Sequence, residues 1–242
     1  PTGITFYEGT LLPLQFRNQV IHCDAGPNIV RCYPATVSGA GYTAKVADIA
    51  HGARDRWFRP ADVCTAPDGS LFITDWYDPG VGGHNMGDLE RGRIFRIAPP
   101  KHQYKVQKYN YTTPQGAIAA LGSPNGAARY NAWQALYGFG KKANGALERL
   151  SRNPSPQLQA RAYWLLGKIN PDGKYVGAAL QHADARIRIV GIRLARQLGK
   201  PIAPLVESLV DDESSQVRRE LAIALRHCDA EAMPKLWALL AS

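Results

Sequence analysis

The chain has 242 residues, 45% hydrophobic and 20% charged, with a formal net charge of +9 and a pI near 9.5. That balance belongs to a globular protein with a core, and no apolar run approaches the roughly 20 residues of a membrane-spanning helix. The basic residues are dispersed rather than blocked, which argues against a nucleic-acid arm, and Pro1-Thr2-Gly3 does not begin a signal peptide, so any leader is expected outside this sequence.

The first 100 residues read as short strands. Gln19-Val20-Ile21-His22-Cys23 and Ile29-Val30-Arg31-Cys32-Tyr33 are β-branched runs on either side of Gly26-Pro27-Asn28. With Pro27-Asn28 at the hairpin tip, Cys23 and Cys32 would be cross-strand partners, where a disulfide is conceivable; two buried, reduced thiols are the alternative. Cys64 and Cys228 read as small core residues. No CxxC or CxxCH pair occurs, so the sequence carries neither a c-type haem attachment nor a zinc knuckle.

A strand over Ala61–Thr65 leads into the turn Ala66-Pro67-Asp68-Gly69. A second strand over Ser70–Trp76 follows, then a glycine-rich loop, then the alternating run Gly92–Ile97. Strand, Pro-Asp-Gly turn, strand, loop and a Gly-Arg-Ile-x-Arg-Ile strand is the order of one blade of a six-bladed β-propeller. Residues 1–100 would supply about two blades, too few to close a ring, so the remaining blades are expected either before Pro1 in a longer protein or from another chain.

Residues 101–113 read as a linker, and from Pro114 to residue 242 the period is helical. The segments beginning Ala128-Arg129, Leu158-Gln159, Ile187-Arg188 and Val217-Arg218 share one pattern at offsets of 30, 29 and 30 residues. Four copies at that spacing predict a HEAT-type α-solenoid of four and a half repeats. Small residues at Ala132, Ala162 and Gly191 would allow close helix approach, and Trp133, Trp164 and Trp237 are expected to pack in the core. Arg129, Arg188 and Arg218 recur at one position. They predict either a basic ladder or local bonds to a neighbouring turn, with the local bond preferred.

The stretch Trp57–Val63, then Pro67-Asp68-Gly69-Ser70-Leu71-Phe72-Ile73-Thr74-Asp75-Trp76-Tyr77-Asp78-Pro79-Gly80, resembles one family. So do Gly83-His84-Asn85-Met86-Gly87-Asp88, Arg91–Ile97 and the upstream Cys23–Pro34. These motifs are similar to those of the PVC-type haem-binding CxxCH proteins, often labelled membrane-bound dehydrogenases. The resemblance implies a propeller akin to quinoprotein glucose dehydrogenases, then HEAT repeats, then a cytochrome c domain, in a periplasmic or secreted protein. Haem c is then expected only on a domain outside this sequence. The function implied is part of a haem-linked dehydrogenase or electron-transfer protein, with a non-catalytic protein- or carbohydrate-binding scaffold as the alternative.

The loop from Asp75 to Asp88 is the candidate site. In a quinoprotein reading, His84 is the general base, and Arg59 and Arg93 face the acidic groups of a quinone. Alternatively Asp75, Asp78 and Asp88 supply oxygen ligands for Ca2+, or these side chains simply pin the loop through bonds to backbone N–H groups. Arg54–Pro60 reads as packing, or as a cationic and aromatic rim. His51 and His102 read as solvated. Partners are expected to be proteins on the solenoid, together with the missing blades and cytochrome domain.

Overall fold

The computed structural model describes residues 2–80, 90–227, 231 and 233–241. It divides into two compact units. One runs to Thr36 and adds Thr43–Tyr109 and Ser123–Tyr130; the other comprises Val37–Tyr42, Asn110–Gly122 and residues from Asn131 onward.

Among the described residues the first unit carries nine strands, two of which are shared with the second. They are β1 (Ile4–Tyr7), β2 (Gln19–Asp24), β3 (Ile29–Tyr33), β4 (Ala35–Ser38), β5 (Gly41–Ala44), β6 (Ala47–His51), β7 (Pro60–Thr65), β8 (Leu71–Asp75) and β9 (Arg93–Ile97). They form a four-stranded sheet in the order β1-β2-β3-β6, a β4-β5 hairpin, and a three-stranded sheet β7-β8-β9. The larger sheets are antiparallel throughout. Their inward residues, among them Tyr7, Ile21, Val30, Val63, Leu71 and Ile73, join one apolar cluster. Each such side chain contributes roughly 1.5–3 kcal/mol by leaving water. Tyr7 also carries a polar link: its hydroxyl donates to Gly69 O at 2.8 Å and accepts from Leu12 N at 3.0 Å. Burial pushes this phenol above its ordinary pKa.

The β2–β3 hairpin differs from the expected register. Cys32 lies opposite Ile21, and Cys23 lies opposite Val30. The strands close at Asp24↔Ile29 around a four-residue turn ending at Asn28, which takes the left-handed conformation at φ 62°. The two cysteines are therefore diagonal neighbours on the buried face, and both are free thiols. Cys64 is exposed rather than a core residue, because its neighbours Val63 and Thr65 take the inward positions of β7. Cys228 lies outside the described residues.

The Pro-Asp-Gly turn forms as its sequence requires. Gly69 sits at φ +87°, Ala66 N donates to Ser70 O at 2.8 Å, and Asp68 accepts from Ser70 N at 3.0 Å. In β9, Arg93, Phe95 and Ile97 lie opposite inward-facing Asp75, Ile73 and Leu71. Ile94 consequently faces out and is 73% exposed, so the alternation of this strand is not polar-out. No helix or strand occurs between β9 and residue 114.

The solenoid alternates short and long helices. The short ones are α1 (Pro114–Leu121), α3 (Asn144–Leu150), α5 (Lys174–Leu180), α7 (Ala203–Leu209) and α9 (Met233–Ala241). The long ones are α2 (Gly126–Phe139), α4 (Pro156–Ile169), α6 (Ala185–Gln197) and α8 (Ser215–Ala224). Caps set several starts: Thr113 accepts from Gly116 N, Ser155 from Leu158 N, Asn125 from Ala128 N and Asp184 from Arg186 N. Ala132 and Ala162 are fully buried, and a Cβ on Gly191 would lie 3.0 Å from Leu180 N. Small residues at this position therefore permit the close approach that the repeat pattern predicts.

The repeated arginine folds back locally. Arg129 Nη1 donates to Ser123 O and Pro124 O, both at 2.8 Å. Arg188 Nη1 donates to His182 O at 2.9 Å and Ala183 O at 2.8 Å, and Arg218 donates to Asp212 O. Each guanidinium thus satisfies carbonyls left unpaired where the chain turns between helices. Trp133 stacks on Tyr137 and Trp164 packs against Leu194, Ala195 and their neighbours. Trp237 is 48% exposed, which corrects its expected core position. No helix among the described residues is long and apolar enough to cross a membrane.

Candidate functional site

Asp75 ends β8 on the inward face, directly opposite Arg93 at the start of β9. A carboxylate there needs partners, since its side chain is fully buried. Oδ1 accepts from Arg59 N at 2.7 Å and Tyr77 N at 2.9 Å. Oδ2 accepts from Arg93 Nε at 2.8 Å and is paired with Arg93 Nη2 at 2.6 Å. The same Nη2 reaches Asp55 Oδ2 at 2.9 Å. Burial alone would lower the Arg93 guanidinium, but its bonds to Asp55 and Asp75 outweigh that and raise it.

Tyr77 takes φ 50°, a left-handed conformation that a bulky residue rarely adopts. Its N–H bond to Asp75 holds it there, and the Arg93 guanidinium lies 3.9 Å from the centre of its ring. Trp57 packs 5.5 Å from the same ring, and Arg91 lies over Trp57 at 5.9 Å. Arg54–Pro60 therefore provides both an aromatic partner here and a packing residue, Phe58, in the core.

Arg59 is engaged by backbone. Its Nε donates to Asp78 O at 3.0 Å, Nη2 to Pro79 O at 3.1 Å, and Nη1 to Ala25 O at 3.2 Å and Gly26 O at 3.4 Å. Asp78 is buried, and its Oδ1 accepts from Gly80 N at 2.7 Å. The structure thus brings Arg59, Asp75, Asp78 and Arg93 together through bonds that fix the entrance of the loop. His84 and Asp88 lie outside the described residues.

This arrangement limits which groups the site fits. Four donors occupy the Asp75 oxygens, and two of them belong to the Arg93 guanidinium, whose charge would repel a calcium ion at the same oxygens. No group of three metal-ligating side chains stands together among the described residues. Nor do Arg59 and Arg93 present a free guanidinium fork to a quinone carboxylate. A cleft of about 290 Å³ opens beside Arg93, lined by Asp55, Phe58, Ile73, Phe95 and His51. It is small for a ligand site and mostly apolar.

A second polar cluster escaped the sequence reading. Arg96 bonds Ser70 Oγ at 3.0 Å, Asp68 Oδ2 at 2.7 Å and His102 Nδ1 at 2.7 Å. Burial would raise the Asp68 carboxyl, but bonds from Ser70 and Arg96 hold it below its ordinary value. His102 is thus paired rather than merely solvated. Ser70 donates to Asp68 at 2.6 Å while Arg96 donates to Ser70, so the hydroxyl has no histidine base. No local sequence pattern signals it: the β8–β9 register, with Phe72 opposite Arg96, is what places Arg96 beside the Pro-Asp-Gly turn.

Two family models match separate parts of the chain. Residues 1–101 match a family described as a domain of unknown function (DUF7133). Residues 143–226 match HEAT repeats. No curated protein matches the chain.

Proposed function

We propose that the chain is part of a propeller–solenoid protein in which it serves as a scaffold for recognition and assembly. The sheets of the first unit would be closing blades of a β-propeller. The observation that carries this reading is the internal pairing of Arg59, Asp75 and Arg93, which suits a rigid platform better than a reaction centre. HEAT repeats commonly mediate protein interactions, and stacked helix pairs give extended binding surfaces. Cross-linking of the full-length protein in its native source, read by mass spectrometry, tests this. Cross-links from solenoid lysines such as Lys168 and Lys174 to a defined partner are expected; their absence, with turnover of a sugar or alcohol, sinks the reading.

A second reading is favoured by domain order: HEAT-matching residues follow the motifs at 57–97 that resemble the haem-linked family. In it the parent protein is an extracytoplasmic dehydrogenase, His84 is the base, and a quinone would bind through donors other than Arg59 and Arg93. A c-type haem band and alcohol-dependent reduction in the native protein, lost on His84→Ala, would support it. A colourless, inactive parent protein would end it.

A further inference from the structure

The β4–β5 hairpin has no core of its own. Every residue of both four-residue strands is exposed, and an isolated two-stranded hairpin is marginal in water. Its tip, within residues 37–42 of the second unit, is held instead by α8. Gln216 Nε2 donates to Gly39 O at 2.8 Å and to Gly41 O at 2.9 Å, and Arg219 Nη1 donates to Ala40 O at 2.8 Å. The Arg219 guanidinium also lies 5.4 Å from the Tyr42 ring centre. Three successive carbonyls are thus read by two side chains one helical turn apart.

This is recognition of backbone, and it selects for glycine. Gly39 takes φ +54°, a backbone conformation that residues with a side chain rarely adopt, and no atom lies within 4 Å of its absent Cβ. The site is also incompletely used. Gln216 Oε1 and Arg219 Nε are buried without a hydrogen-bond partner among the described residues. A buried unsatisfied polar atom is costly, and here one is an acceptor and the other a donor, complementary to a peptide N–H and C=O. Beside them Glu220, 2% exposed, is held by Arg193 at 2.7 Å.

We propose that Gln216 and Arg219 form a docking site for a glycine-rich β-turn of a partner protein, and that the chain's own 38–42 tip occupies it as an internal competitor. A partner turn offering one further peptide group would satisfy the two atoms that the tip leaves orphaned. The identity of the occupant as a partner rests on the scaffold reading; the capture of the tip by α8 does not.

The test uses the whole chain and a labelled cyclic peptide spanning Ala35–Ala44. Gln216→Ala, and separately Gln216→Glu, should speed amide hydrogen exchange at residues 38–43 by about tenfold or more and open trypsin cleavage after Lys45, with helical circular dichroism unchanged. Gly39→Val, which a β-branched side chain disfavours at positive φ, should release the tip and tighten peptide binding at least about tenfold over the unsubstituted chain. Adding Gln216→Ala to Gly39→Val should abolish that binding. Unchanged exchange in both Gln216 variants overturns the capture of the tip. Binding that is equal with and without Gln216, or absent when exchange shows the tip released, overturns the docking site. Neither result depends on whether the parent protein has redox activity.

Discussion

In the β unit, Arg59, Arg93 and Arg96 reach partners 18 or more residues away, such as Asp78 O, Asp75, Asp55 and Ser70. In the solenoid, Arg129, Arg188 and Arg218 bond carbonyls five or six residues earlier. The same residue type closes a fold at long range in one region and stitches a local turn in the other. Arg129 and Arg188 join the two habits: besides its local carbonyls Arg129 pairs with Glu8 at 3.3 Å, and Arg188 makes a bidentate pair with Asp212 of the next repeat, at 2.7 and 2.8 Å. One prediction is that the solenoid is most vulnerable where both habits meet.

Arg188→Met is accordingly the largest expected effect. The Arg188 and Asp212 side chains are 10% and 5% exposed, so removing the guanidinium strands a buried carboxylate and two carbonyls. The cost should be about 3–5 kcal/mol by urea unfolding. Asp212→Leu added to Arg188→Met should recover part of it. Burial would raise Asp212, but the bonds from Arg188 and Ser214 N–H outweigh it and hold the carboxyl below its ordinary value. An acid with a depressed folded pKa stabilises above its unfolded value, near 3.9, and loses that contribution as pH falls through the folded one. The gap between the unsubstituted chain and Arg188→Met should therefore be full at pH 7 and shrink below about pH 4. A gap independent of pH would remove the ion pair from the explanation.

In the β unit the matching test is Asp75→Asn, expected to cost about 2–3 kcal/mol. The amide retains one acceptor oxygen but cannot serve Arg93 and both backbone donors together. Faster chymotrypsin cleavage at Tyr77 should accompany the loss, since Asp75 accepts from Tyr77 N and Arg59 holds Asp78 O. An unchanged unfolding midpoint would show that the node does not stabilise the fold and reopen Asp75 to a ligand role.

These contrasts explain what was legible in the sequence. The helical repeat was readable because 30, 29 and 30 residues separate copies of a local unit, and α2, α4, α6 and α8 start at 126, 156, 185 and 215. The preference for local bonding of the repeated arginine was readable for the same reason. In the β unit the strongest turn, at Asp68-Gly69, was readable from residue chemistry. Strands β1 and β4–β6 were not: Ala35–Ser38 and Gly41–Ala44 carry no buried face to impose alternation, and β1 buries Tyr7 alone of its four residues. The pairing of Arg93 with Asp75 required the β8–β9 register, which no local pattern fixes. Arg96, Asp68 and His102 come together for the same reason.

Gly191→Ala is a smaller test of the solenoid's close approach. Alanine favours a helix over glycine by up to about 1 kcal/mol. Against that, the new Cβ would lie 3.0 Å from Leu180 N, a backbone atom that cannot rotate away. Overpacking of about 1–3 kcal/mol should win, giving a modest net loss in thermal stability. A gain would mean that α5 shifts to accommodate the methyl group.

The smallest expected effect on stability, and the sharpest on reactivity, concerns the cysteines. Placing the turn one residue too far along made Cys23 and Cys32 face each other; the observed register makes both inward residues of a sheet whose core excludes water. Burial first, and the nearby Asp62 charge second, push the Cys23 thiol up to about 12. Burial raises Cys32 as well. Because thiolate is the reactive form, neither should alkylate in the folded chain at pH 8, whereas exposed Cys64 should react slowly. Peptide mapping after iodoacetamide, with and without urea, reads all three sites separately. The raised folded pKa also sets a sign: Cys23 stabilises fully below its unfolded value near 8.5 and loses that contribution as pH rises toward 12. Alkylation of Cys23 in the native chain at the rate of Cys64 would show that the β2–β3 sheet opens readily, and that its stability falls well short of the solenoid's.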